Sequence, residues 1–169
     1  AQAIRRLQIL SFDPSTADSA AVGVLEKELG ATPNDPVALS RLAAVYVRQN
    51  ATDKAVKTFE AARERRPRDG QLRVQLARLY LNPPFTNTAR ALELAREAQR
   101  MAPEEPLVSE VLGRIAFQRG DFQAAVPPLR DAARKLGRPD IYYDLALSLY
   151  AIGKADEALA AAQTALQST

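Results

Sequence analysis

The 169-residue chain contains no Cys, no His and no Trp, and only 6% of it is aromatic. Each shortage excludes something. Zinc sites built on Cys or His are ruled out, and so are Ser–His–Asp and Cys–His catalysis. Without Cys there is no disulfide, so the redox compartment stays open. No apolar run approaches the roughly 20 residues of a membrane-spanning helix, and no signal peptide is visible. With five Tyr and five Phe, the core must come mainly from Ala, Leu and Val. The chain begins Ala1-Gln2-Ala3 rather than with Met, and the expectation is a mature form or an excised piece of a longer protein.

What is present is an ordinary share of apolar residues, 47%, much of it alanine. Alanine suits closely packed helices, because a methyl group lets backbones approach. Net charge is +3, unevenly spread. Residues 36–100 hold 13 Lys/Arg against 6 Asp/Glu, a net of +7, while the segments on either side are each at −2. The basic character belongs to the middle of the chain.

A phrase recurs at a period near 34. Leu42-Ala43-x-x-Tyr46 is followed by Ala55, Phe59, Ala62 and Pro67, and Leu76-Ala77-x-x-Tyr80 by Ala91, Ala95, Ala98 and Pro103. Leu112-Gly113-x-x-Ala116 leads to Gly120, Ala125, Leu129 and Ala132, and Leu145-Ala146-x-x-Leu149 to Gly153, Ala158, Ala162 and Ala165. A small residue after Leu, an aromatic or apolar residue three places on, then spaced alanines: this pattern resembles the tetratricopeptide repeat. The resemblance covers residues 36–169 well and 1–35 weakly. It implies an all-α, right-handed superhelical solenoid of antiparallel helix pairs with a concave groove.

On this register the chain divides into five parts. Residues 1–35 form an N-terminal helical pair, a degenerate repeat, with Ile4, Leu7 and Leu10 on one helix and Ala20, Ala21, Val24, Leu25 and Leu29 on the next. Repeats follow at 36–69, 70–105, 106–138 and 139–169. Asp35-Pro36 reads as an N-cap followed by a first helical residue, and Arg119-Gly120-Asp121 as a turn needing a left-handed glycine. The turn at 82–87 is two residues longer than its counterparts, since Leu76 and Ala91 are 15 apart where Leu42 and Ala55 are 13 apart. Within it, Phe85 reads equally as a partner-contacting tip and as a ring folded back onto Leu81. Pro127-Pro128 predicts a kink or a late helix start in the third repeat. The last repeat has no polar helix after it. Arrays normally need one, so the expectation is that the parent protein continues or that this end packs on a partner.

In the family the groove is lined by positions two, five, nine, twelve and thirteen of each unit. Here the fifth position is Ser40, Val74, Glu110 and Tyr143. The ninth is Ala44, Arg78, Arg114 and Leu147, the twelfth Val47, Leu81, Phe117 and Tyr150, and the thirteenth Arg48, Asn82, Gln118 and Ala151. The resemblance thus implies a partner-binding set of Arg48, Arg78, Arg114, Phe117, Tyr143, Leu147 and Tyr150. Arg forks onto carboxylates, and Tyr, Phe and Arg are the residue types that dominate interfaces. A partner segment with an acidic and an apolar part fits. The bland alternative is that these arginines only keep an exposed face soluble. The Lys/Asn/Arg clamp by which one subclass holds chaperone C-termini is absent, since Ser40 and Ala44 precede Gln75, and Val74 and Arg78 precede Val111.

Other features read as structure. Arg63-Glu64-Arg65-Arg66-Pro67-Arg68 suits a helix C-terminus, where cations complement the dipole, better than a nucleic-acid patch, because no aromatics interleave it. No carboxylate pair is forced into a pocket and no Gly-rich phosphate loop is present. The reading is therefore a non-enzymatic protein- or peptide-binding scaffold with no cofactor, metal or small-molecule substrate. Two alternatives stand beside it: a structural segment that stacks or self-associates through its ends, and a weak polyanion binder using residues 36–100. The excess of Arg over Lys and the abundant Ala suggest a GC-rich bacterial genome, with cytoplasm and periplasm both open.

Overall fold

The computed structural model describes residues 19–83 and 86–167, and among these every regular element is an α-helix. The helices are α1 (Ser19–Ala31), α2 (Pro36–Arg48), α3 (Thr52–Arg65), α4 (Gly70–Leu79), α5 (Thr88–Met101), α6 (Pro106–Gln118), α7 (Phe122–Leu136), α8 (Pro139–Ala151) and α9 (Ala155–Gln167). The first helix of the expected N-terminal pair and the Phe85 side chain lie outside the described residues.

Local chemistry sets the boundaries. The Asp35 carboxylate accepts from the backbone N–H of Val37 (2.8 Å) and Ala38 (3.3 Å), with Pro36 in the first turn. Asp69 caps α4 in the same way through Gln71 and Leu72, and Asp121 caps α7 through Ala124. Such caps satisfy donors that the helix itself cannot. Three turns between paired helices pass through one left-handed residue each: Asn50 (φ 54°), Gly120 (φ 74°) and Gly153 (φ 79°). Between α4 and α5 the connection runs instead from Tyr80 to Asn87, and the inserted residues lengthen it.

Packing is sequential. The most extensive contacts join α2 to α3, α4 to α5, α6 to α7 and α8 to α9, and each pair then packs on the next. In addition α4 touches α6, and α6 touches α8, so the first helices of successive pairs form one inner layer. The core is correspondingly split into three clusters along the array: Ala21, Leu25, Leu42 and Tyr46 at one end; Phe59, Leu76, Leu94 and Ile115 in the middle; Leu129, Ile141, Leu145 and Leu149 at the other. A quasi-one-dimensional stack produces this, because each unit buries its apolar stripe only against neighbours.

Small residues decide how close the helices come. Ala43, Ala77 and Gly113 are fully enclosed. At Gly113 a Cβ would lie 2.7 Å from Leu129 Cγ and 3.0 Å from the Leu129 backbone nitrogen, so α6 and α7 pack across a glycine with no room for a methyl. Val24, placed on the apolar stripe of α1 by its spacing, is instead 53% exposed.

Of the two outcomes expected at the prolines, the late helix start is corrected. The helix α7 neither starts late nor breaks: it begins at Phe122, capped by Asp121, and passes unbroken through Pro127 and Pro128. Two prolines leave the carbonyls of Gln123 and Ala124 without intrahelical donors. Both residues are exposed, where the cost of an unbonded carbonyl is lower than in the core. Beyond the prolines Leu129, Ala132 and Ala133 are buried against the neighbouring helices. That burial holds the backbone helical against the local cost.

Polar ties also cross between elements, two of them at Arg73 and Tyr46. The Arg73 side chain, 7% exposed, donates to Glu97 Oε2 (2.6 Å) and to the carbonyls of Pro67 (2.6 Å) and Asp69 (3.1 Å), locking the turn before α4 onto α5. The Tyr46 hydroxyl donates to Glu26 Oε1 (2.7 Å), joining α2 to α1. Burial first, then the Glu26 carboxylate, push the Tyr46 phenol up to about 12. Because the folded value exceeds the ordinary value near 10, the folded state favours the neutral phenol. Its contribution is complete below about pH 10 and is lost as pH rises towards 12. Tyr46→Phe should cost about 1–2 kcal/mol near neutrality and flatten the decline in thermal stability between pH 10 and 12, as read by circular dichroism melts.

Candidate functional site

The inner layer carries two different surfaces. Between α2 and α4 lies a cleft of about 700 Å³. Ser40, Ala44, Val47 and Arg48 form one wall, Gln71 and Gln75 the other, and the buried Phe59 and Leu72 close its floor. The position of these side chains follows from helical spacing: Ser40, Ala44 and Val47 repeat at four and three residues and so share one face of α2. The cleft therefore offers an apolar floor, a rim of amides and a cationic lip. Arg48 is exposed and forms no ion pair among the described residues. Arg41 and Arg66 also line the cleft, and Arg66 lies 3.5 Å from Asp69.

Farther along, the inner layer is closed by charge. The Glu110 side chain on α6 is fully buried. Its Oε1 lies 3.6 Å from Arg78 on α4 and 3.6 Å from Arg114, and its Oε2 accepts from Arg138, at the N-terminus of α8, at 3.0 Å. Arg114 also reaches Asp144 on α8 at 3.4 Å, and Arg138 pairs with Asp140. Three guanidiniums and three carboxylates thus tie α4, α6 and α8 together. The Oε1 atom accepts no hydrogen bond among the described residues, so attraction to the two arginines, rather than directed bonding, holds that edge. Burial raises the Asp144 carboxyl above the usual range, and Arg114 opposes that rise.

The residues expected to bind a partner therefore fall into distinct settings. Arg48 stands at the cleft. Arg78 and Arg114 are engaged with Glu110, with side chains 32% and 26% exposed. Phe117 is half-buried, packs on the third core cluster and meets Phe122 edge-on at 5.7 Å. Tyr143 (58%), Leu147 (39%) and Tyr150 (74%) form an exposed stripe on α8. Two positions assigned to the groove by register, Val74 and Leu81, are core residues at 0% and 3% exposure. Sequence reasoning placed Glu110 on the groove face but missed its burial. The available signal was three arginines (Arg78, Arg114 and Arg138) spaced to surround one acidic position.

Comparison with known proteins agrees with this architecture. Residues 86–141 and 112–169 match the profile of the tetratricopeptide repeat family. A search of curated proteins finds no match. Among solved structures, the tetratricopeptide protein TTC0263 of Thermus thermophilus is 24% identical, over 88% of this chain and 81% of that one, with a TM-score of 0.69. MamA of strain AMB-1 is 21% identical over 99% and 98%, with a TM-score of 0.72. Cut9, crystallised with Hcn1, is 18% identical over 89% of this chain and 30% of its own, with a TM-score of 0.80. At these identities the likeness shows the fold, an all-α solenoid of helix pairs. Repeat phrase, stacked pairs and profile together place the chain in the tetratricopeptide repeat family.

Proposed function

We propose that this chain is a scaffold that binds a segment of another protein along its inner layer, with the cleft between α2 and α4 as the principal contact. The family builds protein-interaction scaffolds, and the cleft carries the finer reading. It is concave, has an apolar floor and holds an exposed cation, Arg48, with no ion pair among the described residues. A segment bearing an apolar side chain beside a carboxylate matches that chemistry. Four units, at 36–69, 70–105, 106–138 and 139–169, would present the surface.

The expected roles of Arg78 and Arg114 change in this reading. Both chiefly balance Glu110, and their outer edges supply positive potential to the groove. The polyanion alternative weakens for the same reason. Arg63, Arg66, Arg73, Arg78 and Arg90 from the basic middle each have a carboxylate within 4.0 Å.

The test is affinity capture from the source cell with the native chain, Arg48→Glu and Val47→Glu. Proteins held by the native chain should bind Arg48→Glu about tenfold or more weakly, as expected for a lost charge-assisted contact of about 1.5–3 kcal/mol, and should bind Val47→Glu more weakly because it sets a charge against an apolar side chain. Both positions are exposed, so circular dichroism melts should be unchanged. Retention of every captured protein by both variants would remove the cleft from consideration. Arg78→Glu and Arg114→Glu are poorer probes, because each puts a second carboxylate beside buried Glu110.

A further inference from the structure

The cleft between α2 and α4 does not end at α4. Arg66, Asp69 and Gln71, which line it, also line a second hollow of about 660 Å³. That hollow sits at the edge of the array, where three helix ends meet: Arg66 is the C-cap of α3, Asp69 the N-cap of α4 and Ala102 the C-cap of α5. Pro67, Gly70 and Ala102 give it an apolar base. The turn that shapes it is fixed from within. Arg73 donates to the carbonyls of Pro67 and Asp69, and the Asp69 carboxylate is engaged by the N–H groups of Gln71 and Leu72. Gly70 brings α5 close, since an added Cβ would lie 3.2 Å from Met101 Cβ and 3.4 Å from Ala102 Cβ. Arg68 also lines the hollow and is exposed, with no ion pair among the described residues.

The two hollows form one continuous channel. Arg48 in the cleft and Arg68 in the hollow lack ion pairs among the described residues, and Arg66 between them lies beside Asp69. From this continuity we infer that the partner segment bound in the cleft is an extended stretch of about six residues, with apolar side chains in the middle and a carboxylate near each end, one held by Arg48 and the other by Arg68. The inference rests on the cleft being the binding surface. The length follows from the path. From Ser40 to Arg48 α2 rises about 12 Å, the turn from Arg66 to Asp69 adds up to about 10 Å, and an extended chain covers about 3.3 Å per residue. The conformation follows from its direction. The channel leaves the inner layer, rounds the start of α4 and reaches the end of α5, and a helix about 10 Å across cannot follow that bend. The chemistry favours a protein segment over a phosphate polymer. Leu72, Pro67 and Ala102 lie along the base of the channel, where a phosphate at every step would set charge against apolar surface, whereas two spaced carboxylates meet the two unpaired guanidiniums.

The probe is the synthetic peptide Asp-Leu-Ala-Ala-Leu-Asp, acetylated and amidated at its ends, titrated into the isotopically labelled chain and followed by NMR. Shifts should appear at Val47 and Arg48 and also at Arg68, Gly70 and Ala102. Affinity should fall about tenfold in Arg48→Glu and by a similar factor in Arg68→Glu, and stay unchanged in Arg96→Glu, a control at an exposed cation of α5. Replacing one terminal Asp of the peptide by Lys should weaken binding to the native chain and restore it in Arg68→Glu, because the charges are then exchanged. All three arginines are exposed, so the variants should melt as the native chain does. Loss in Arg48→Glu with none in Arg68→Glu would overturn this inference and leave the cleft reading standing. Loss in Arg68→Glu alone would remove the cleft, and this inference with it. Equal loss in Arg96→Glu would reduce the effect to bulk charge and overturn the inference. So would a bound peptide that is helical by transferred nuclear Overhauser effects, or no saturable binding at millimolar peptide.

Discussion

Glu110→Ala is expected to lower stability by about 2–3 kcal/mol, and the midpoint of thermal unfolding by roughly 5–10 °C for a chain of this size. The carboxylate is fully buried, with Arg78 and Arg114 at 3.6 Å and Arg138 at 3.0 Å. Removing it leaves three cations converging on a space with no counter-charge at its centre. Breaking a fully buried pair costs about 3–5 kcal/mol. Here the arginine side chains are 26–34% exposed, so water screens part of the repulsion and the lower figure applies. Urea titration should show a lower midpoint at unchanged slope. Glu110→Gln keeps the shape and an acceptor for Arg138 but loses the charge, and should fall between the native chain and the alanine variant. A cost under about 0.5 kcal/mol for Glu110→Ala would mean that the arginines are solvated independently of Glu110.

Gly113→Ala is the second large effect, and its sign runs against helix propensity. In an exposed helix this change stabilises by about 1 kcal/mol. At Gly113 the new methyl would sit 2.7 Å from Leu129 Cγ and 2.8 Å from its Cδ2, with the Leu129 backbone nitrogen at 3.0 Å. Since the obstruction includes backbone, rotating the leucine cannot clear it, and α6 must move away from α7. Overpacking of this kind costs typically 1–3 kcal/mol, so a net loss of about 1–2 kcal/mol is expected by chemical denaturation. A double-mutant cycle checks the cause: Leu129→Ala should cost less in the Gly113→Ala background than alone, because the two changes share one space. An additive cycle would place the strain elsewhere.

Most of the architecture was legible from local features. Asp35-Pro36 announced the start of α2, Gly120 the turn before α7, and the displaced Leu76–Ala91 spacing the long connection before α5. These features act within a few residues, where backbone geometry and capping dominate. Pro127-Pro128 suggested a late start for α7 for the same reason, and that start is not seen. Read locally they disfavour helix, but Leu129, Ala132 and Ala133 behind them are buried against other units, and the residues whose carbonyls they leave open are exposed. Val24 shows the reverse case, an apolar residue at core spacing on which no neighbouring helix packs closely among the described residues.

The candidate site was legible in position but not in role. Register placed Arg48, Arg114 and Tyr143 on inner helices, yet equivalent positions carry opposite environments: Val74 and Glu110 are enclosed, while Tyr143 is exposed. Periodicity assigns a side chain to a face of its own helix and is blind to what lies opposite. The sequence by itself determined the repeat, the helices and their caps, because those depend on 3.6-residue spacing and nearest-neighbour chemistry. Only the tertiary structure decided that α2 and α4 leave a cleft, that three arginines converge on one buried carboxylate, and that the stripe on α8 is exposed. Each of these depends on distances between residues far apart in the chain.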